Sequence, residues 1–163
     1  MEYYKLVEQA EEMIVEAAEP ALVDALYKVF SDAFVFYFKS HSFHWNVVGK
    51  DFPQYHEFFG KVYETVFDNL DRLAEEIRAL DAPAPMNLAT LIANATISEN
   101  KNALSGIEMV SSLSADNQKI LAGLLACQKM AEAANEVGLA NFLQDLFDGH
   151  KKFGWMFNSI LKG

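Results

Sequence analysis

Apolar residues recur at three- and four-residue intervals along most of the chain, the spacing of one helix face, with no convincing two-residue alternation of a strand. Tyr4, Val7, Ala10, Ile14 and Ala17 mark a short amphipathic helix over about residues 3–17. Pro20 opens the next, because its missing N–H is no loss in a first turn, and this helix runs to about Val48, where Gly49 stops it. Asp51 sits where an N-cap is wanted, Pro53 falls in the first turn, and Gln54 lies in capping-box register with Asp51. A third helix therefore starts beside residue 52 and continues to about Leu80, before Asp81, Pro83 and Pro85 end it.

From Met86 to Leu113 the pattern weakens, and only Leu88 to Ala95 reads as a short helix inside a long connection. Ser114 then caps a fourth long helix to about Asn135, and a break at Gly138 separates it from a fifth over Leu139 to Leu161. Long helices joined by one long crossover predict an all-α, ferritin-like four-helix bundle with a short extra helix in the crossover. The length of 163 residues suits a single domain over 1–163, with residues 1–19 as a helical extension.

Composition sharpens this in three ways. The chain is 52% apolar with 13 Phe, several crowded at Phe30, Phe34, Phe36, Phe38 and Phe43, which predicts a helix covered on more than one face, as in a bundle or an oligomer. A formal charge of −10 with no basic run disfavours nucleic-acid binding. No stretch is apolar enough to span a membrane, and the acidic start MEYYKLVEQAEEM lacks a signal peptide's basic end, so a soluble, cytoplasmic protein is expected. The lone Cys127 fits a reducing compartment and a small buried hydrophobe.

The candidate chemistry is imidazole and carboxylate at helical spacing. At about 100° per residue, His56, Glu64, Asp71 and Glu75 share one stripe of the third helix. The rise forbids a single intrachain site, because fifteen residues separate His56 from Asp71, about 22 Å at about 1.5 Å each. Two copies of the helix, antiparallel about a two-fold axis, would instead set His56 of one against Asp71 and Glu75 of the other. His44, at the end of the preceding helix, can reach the His56 end from its own chain. Such a donor set suits Fe(II), Mn(II) or Zn(II) and offers nothing soft enough for copper(I). Taken alone, Asp71 and Glu75 also read as a solvated face beside Arg72 and Arg78.

From about residue 20 onward the chain resembles the Dps family of dodecameric mini-ferritins. The resemblance rests on His44-Trp45-Asn46, Gly49, Phe52, His56-Glu57, Asp71-x-x-Ala74-Glu75 and Arg78-Ala79-Leu80, in that order and spacing. It implies a hollow shell of twelve subunits in which Fe(II) is oxidised by hydrogen peroxide or oxygen and stored as a ferric mineral. Its ferroxidase site residues would be His44 and His56 from one chain with Asp71 and Glu75 from a two-fold partner, and Zn(II) could replace iron. It also implies a pore through which iron passes, lined by Glu136, Asn141 and Asp145, with Asn141 standing where an acid is common. Relatives usually carry an acid four residues after the second histidine, where this chain has Gly60, so weaker or single-metal occupancy is expected. Glu64 either compensates through a water or is a solvated or salt-bridged acid; Glu57 points away. The alternative is a shell-forming, metal-binding protein whose oxidase site has degenerated.

Among other polar and aromatic residues, Trp45 lies beside the site or packs in the interior, and Trp155 packs. His41 is a hydrogen-bonded interface histidine, and His150 is a surface or lumen residue. DNA binding, found in relatives with basic tails, is not expected from an acidic amino terminus and a Leu161-Lys162-Gly163 end.

Overall fold

The computed structural model describes the backbone of residues 2–163 and the side chains of 3–9 and 20–163. The described residues form five helices, α1 Glu2–Asn46, α2 Phe52–Ala79, α3 Leu88–Asn94, α4 Gly106–Ala133 and α5 Val137–Leu161. α1 packs on α2 and α4, α4 packs on α5, and the short α3 lies against α1. The fold is a ferritin-like four-helix bundle with its small helix in the long crossover, as the periodicity implied.

Three boundaries differ from expectation. α1 is continuous through Pro20 rather than restarting there. The ring's fixed φ is already helical, so proline forfeits one hydrogen bond while the packed turns after it hold the axis. Tyr4 of the expected leading stripe is exposed and Val7 half-buried; the side chains of Ala10, Ile14 and Ala17 lie outside the described residues. α4 begins at Gly106, eight residues before Ser114, because Ser105 and Glu108 close a capping box: the Ser105 hydroxyl accepts from the Glu108 N–H, and Glu108 accepts from the Ser105 N–H at 2.8 Å. α5 starts at Val137 and simply includes Gly138. Asp51 holds the N-cap position of α2, but its side chain caps nothing, and no box closes with Gln54.

Between α1 and α2, Gly49 adopts φ +116°, a conformation that would strain any side chain, and the Phe52 N–H bonds its carbonyl at 3.1 Å. This tight corner brings the end of α1 back against the start of α2. The Phe cluster divides: Phe30, Phe36 and Phe43 are buried, Phe34 is half-buried and Phe38 is exposed. Cys127 is buried, and burial pushes its thiol up to about 12, so it behaves as a hydrophobe.

Two charged residues of α1 fix the crossover. The buried Asp32 carboxylate accepts from the Thr96 N–H at 2.6 Å, the Thr96 hydroxyl at 2.7 Å and the Ile97 N–H at 3.2 Å. The buried Lys39 ammonium donates to the Ser98 carbonyl at 3.2 Å and to Asp116 on α4 at 2.6 Å. A buried ion of this kind persists only while its partners are in place.

His150 is a core residue, not a surface one. It is buried on α5, and its Nδ1–H donates to Asn117 Oδ1 at 2.7 Å while Asn117 Nδ2 returns a bond to the His150 carbonyl at 2.9 Å. Phe36 and Phe153 meet the ring edge-on, and burial pushes its pKa down to about 4. Trp155, expected to pack, is 66% exposed on the single chain.

Lys39→Met is expected to destabilise the protein by about 3–5 kcal/mol, since it strands the Asp116 carboxylate, while Lys39→Met with Asp116→Leu recovers most of the loss; denaturant midpoints of parent and both variants check this. His150 supplies a pH signature. In the unfolded chain its ring takes a proton below 6.5, in the fold only below about 4. The unfolded state therefore binds more protons in that window, and stability falls with pH through it by roughly 3 kcal/mol in total. Denaturation from pH 7 to 4 should show a shallower decline for His150→Gln than for the parent.

Candidate metal centre

The Gly49 corner sets the last turn of α1 against the first turns of α2, and that is why His44 and His56 meet. Their rings stack at 3.7 Å between centroids with 18° between planes. His44 Nδ1 lies 2.6 Å from the His56 carbonyl oxygen, and His56 Nδ1 lies 2.7 Å from the His44 carbonyl oxygen. A carbonyl only accepts, so each Nδ1 carries a proton, and the free-base tautomer of each ring has its lone pair on Nε2. This is the tautomer and bracing that a metal-binding histidine needs. Neither Nε2 has a hydrogen-bond partner among the described residues.

Gly60 has a positive role in this packing. A Cβ there would stand 3.3 Å from His44 Nδ1 and 3.4 Å from its Cε1, so the imidazole rests against the bare α-carbon. The position where the family resemblance leads one to expect an acid is thus covered by a ring.

Around the pair lies an aromatic layer. Phe52 stacks on His56 at 4.9 Å, and Tyr63 approaches His44 at 5.2 Å. His41 stacks on Tyr63 at 3.8 Å and meets Trp45 at 4.0 Å with the rings tilted by 38°, and its Nδ1 lies 3.4 Å from the Tyr37 hydroxyl. Trp45 is 57% exposed, a surface lid over His41 and not a buried packing residue. The His41 pKa is lowered by burial first and by the neighbouring His44 second, with Glu64 opposing; Tyr63 is raised by burial and by the Glu64 carboxylate. Tyr63 was not singled out from sequence, although seven residues after His56 it falls within about 20° of the same stripe.

The acids stand elsewhere. Asp71 and Glu75 are exposed one turn apart on α2, and no salt bridge engages either among the described residues. Arg72 is turned to Glu76 at 3.4 Å and covers the Phe142 ring at 3.9 Å, while Arg78 donates to the Ala82 carbonyl, so neither arginine neutralises the pair. Among the described residues of one chain, no three of His, Cys, Asp and Glu converge closely enough to hold a metal ion. Glu64 is exposed, its carboxylate 3.4 Å from the Tyr63 hydroxyl, and Glu57 is paired with Lys61 at 2.7 Å. Glu136 is the half-buried N-cap of α5, with Asn141 and Asp145 exposed on the turns after it.

The chain matches the ferritin-like domain family over residues 23–163. It is 32% identical over 128 residues to the DNA protection during starvation protein of Brevibacillus brevis, a span covering 78% of this chain and 86% of that one. The crystal structure of a Dps protein from Bacillus brevis superposes with a TM-score of 0.85 at 29% identity, covering 89% of this chain and 97% of that chain. A Dps protein from Vibrio cholerae O1, described as a member of a broad superfamily of ferritin-like diiron-carboxylate proteins, gives 0.85 at 25% identity over 89% and 91%. Helix order, crossover and sequence agree with these matches, and the chain belongs to the Dps family of ferritin-like proteins.

Proposed function

We propose that this protein sequesters iron, oxidising Fe(II) with hydrogen peroxide or oxygen at a site shared by two copies and holding the ferric product inside a twelve-subunit shell. The observation that carries the reading is the His44–His56 pair, braced through Nδ1 with both Nε2 lone pairs unengaged. In this reading Asp71 and Glu75 of a second copy complete the site across a two-fold axis, since on their own helix they lie about 22 Å and about 28 Å from His56. Phe67, 54% exposed one turn before Asp71, and the exposed Trp45 and Phe52 supply apolar surface that a second copy would cover.

Two neutral imidazoles and two carboxylates balance the charge of one divalent ion. A single ion per site is therefore the reading here, with Fe(II) as substrate and Zn(II) as a competitor of similar ligand preference. The chain's contribution is to hold two nitrogen donors at a fixed separation and to bring oxidant and metal together away from bulk solvent. Glu64 stays outside the first set of ligands, engaged with Tyr63. Glu136, Asn141 and Asp145 form the less acidic pore through which iron passes. The Vibrio relative is described as a member of a superfamily of diiron-carboxylate proteins; the ring resting on Gly60 favours a second reading, a metal-binding shell with a degenerate, oxidase-inactive site. DNA compaction is not included, because the net charge is −10. Among the described residues, no helix is long and apolar enough to cross a membrane.

Adding Fe(II) and peroxide should produce ferric absorbance well above the buffer rate, and His56→Ala or Asp71→Ala alone should suppress it. Co-assembling equal amounts of the two variants should restore about a quarter of the sites, because each mixed dimer regains one intact site. Failure of the mixture to exceed either variant would count against a shared site, and a parent no faster than buffer would favour the degenerate reading. Titration with Co(II), followed by its ligand-field bands, should saturate at about one ion per chain; saturation at two would show that Gly60 does not limit occupancy.

A further inference from the structure

The apolar seam of the bundle is not closed. Between α1, α2, α4 and α5 lies a cavity of about 150 Å³, walled by Val29, Leu73, Leu124 and Phe153 among others. It is approached between α2 and α5, where Thr65 and Asp145 are exposed and Asn69 is half-buried. A cavity of this size has room for a benzene-sized guest. It touches none of His44, His56, Asp71 and Glu75, and of the residues of the proposed iron path it shares Asp145 alone.

The polar atoms on this wall are mostly acceptors. His150, 7% exposed, has its Nδ1–H engaged by Asn117 Oδ1, and its Nε2 has no partner among the described residues. Asn69 Nδ2 donates one of its two N–H bonds to the Thr65 carbonyl at 2.8 Å, and its Oδ1 accepts from no described residue. The Thr65 hydroxyl hydrogen is directed to the Lys61 carbonyl at 2.8 Å. Asp145 has no salt bridge among the described residues. Apart from the second N–H of Asn69, the available polar atoms of the wall are acceptors, and one of them is the Asp145 carboxylate. A guest that satisfies it must bring N–H donors, an apolar body and positive charge.

We propose that this cavity binds a small primary ammonium with a compact apolar body, of about the size of benzylamine, its ring in the seam and its ammonium among Asp145, Asn69 and His150 Nε2. Desolvation keeps the His150 ring neutral, so it remains an acceptor near neutral pH. Benzyl alcohol would lose the charge term, and toluene would keep only the apolar contact.

The test is calorimetry and thermal shift on the assembled protein near pH 7 with benzylamine, benzyl alcohol and toluene. Benzylamine is expected to bind about tenfold more tightly than toluene, and Asp145→Asn to remove most of that difference. Ala33→Leu, which adds bulk to the cavity wall, should abolish binding of all three. Because a filled core can misfold, a benzylamine-soaked crystal of the parent is the second measurement, with the amine expected between α2 and α5. Toluene binding as tightly as the amine, an unaffected Asp145→Asn variant, no binding at all, or the amine found elsewhere would each overturn the proposal.

Discussion

A helix is a rigid ruler, and that constraint governs this protein. On α2 the nitrogen donor and the two oxygen donors share a stripe but are held apart by about four to five helical turns. Side chains cannot bridge such a span, so chemistry that needs both kinds of ligand cannot be completed along one helix. The fold answers half of the problem internally, by turning α1 at Gly49 so that a second imidazole joins the first. The other half falls to whatever faces Asp71 and Glu75.

The histidine pair illustrates how backbone does the work of fixing protonation. Each ring is held by the other residue's carbonyl, an acceptor that cannot change role, so the tautomer follows from geometry and needs no charged neighbour. Gly60 belongs to this arrangement, because the stacked ring occupies the space above its α-carbon. A substitution that reads from sequence as a lost ligand is also a packing choice. The same economy of means appears at Asp32 and Lys39, where two buried charges on α1 capture the backbone of an otherwise irregular crossover.

Much of the architecture was legible from periodicity, and its failures are instructive. The α3 assignment and both ends of α2 agree to within two residues, since caps and breakers flank a clear repeat. The start of α4 was misplaced because Ser114 and Ser105 both suit an N-cap, and only Ser105 carries Glu at the third position to close the box. Pro20 misled because its missing donor says nothing of whether neighbouring turns hold the helix together. His150 looked like a surface residue between Asp148 and Lys151, yet helix rotation turns it inward to Asn117, a partner 33 residues away. Trp155, by contrast, faces outward on the single chain despite its apolar character.

The sequence by itself determined the helical class, the family resemblance and the impossibility of a one-helix site, because all three depend on local spacing along the chain. Only the tertiary structure decided which nitrogen of each histidine is free, that Gly60 seats an imidazole, that His150 is buried and that an acceptor-lined cavity remains in the seam. Those features arise where residues far apart in the chain touch, and burial and hydrogen-bond direction are set by such contacts, not by the residue types alone.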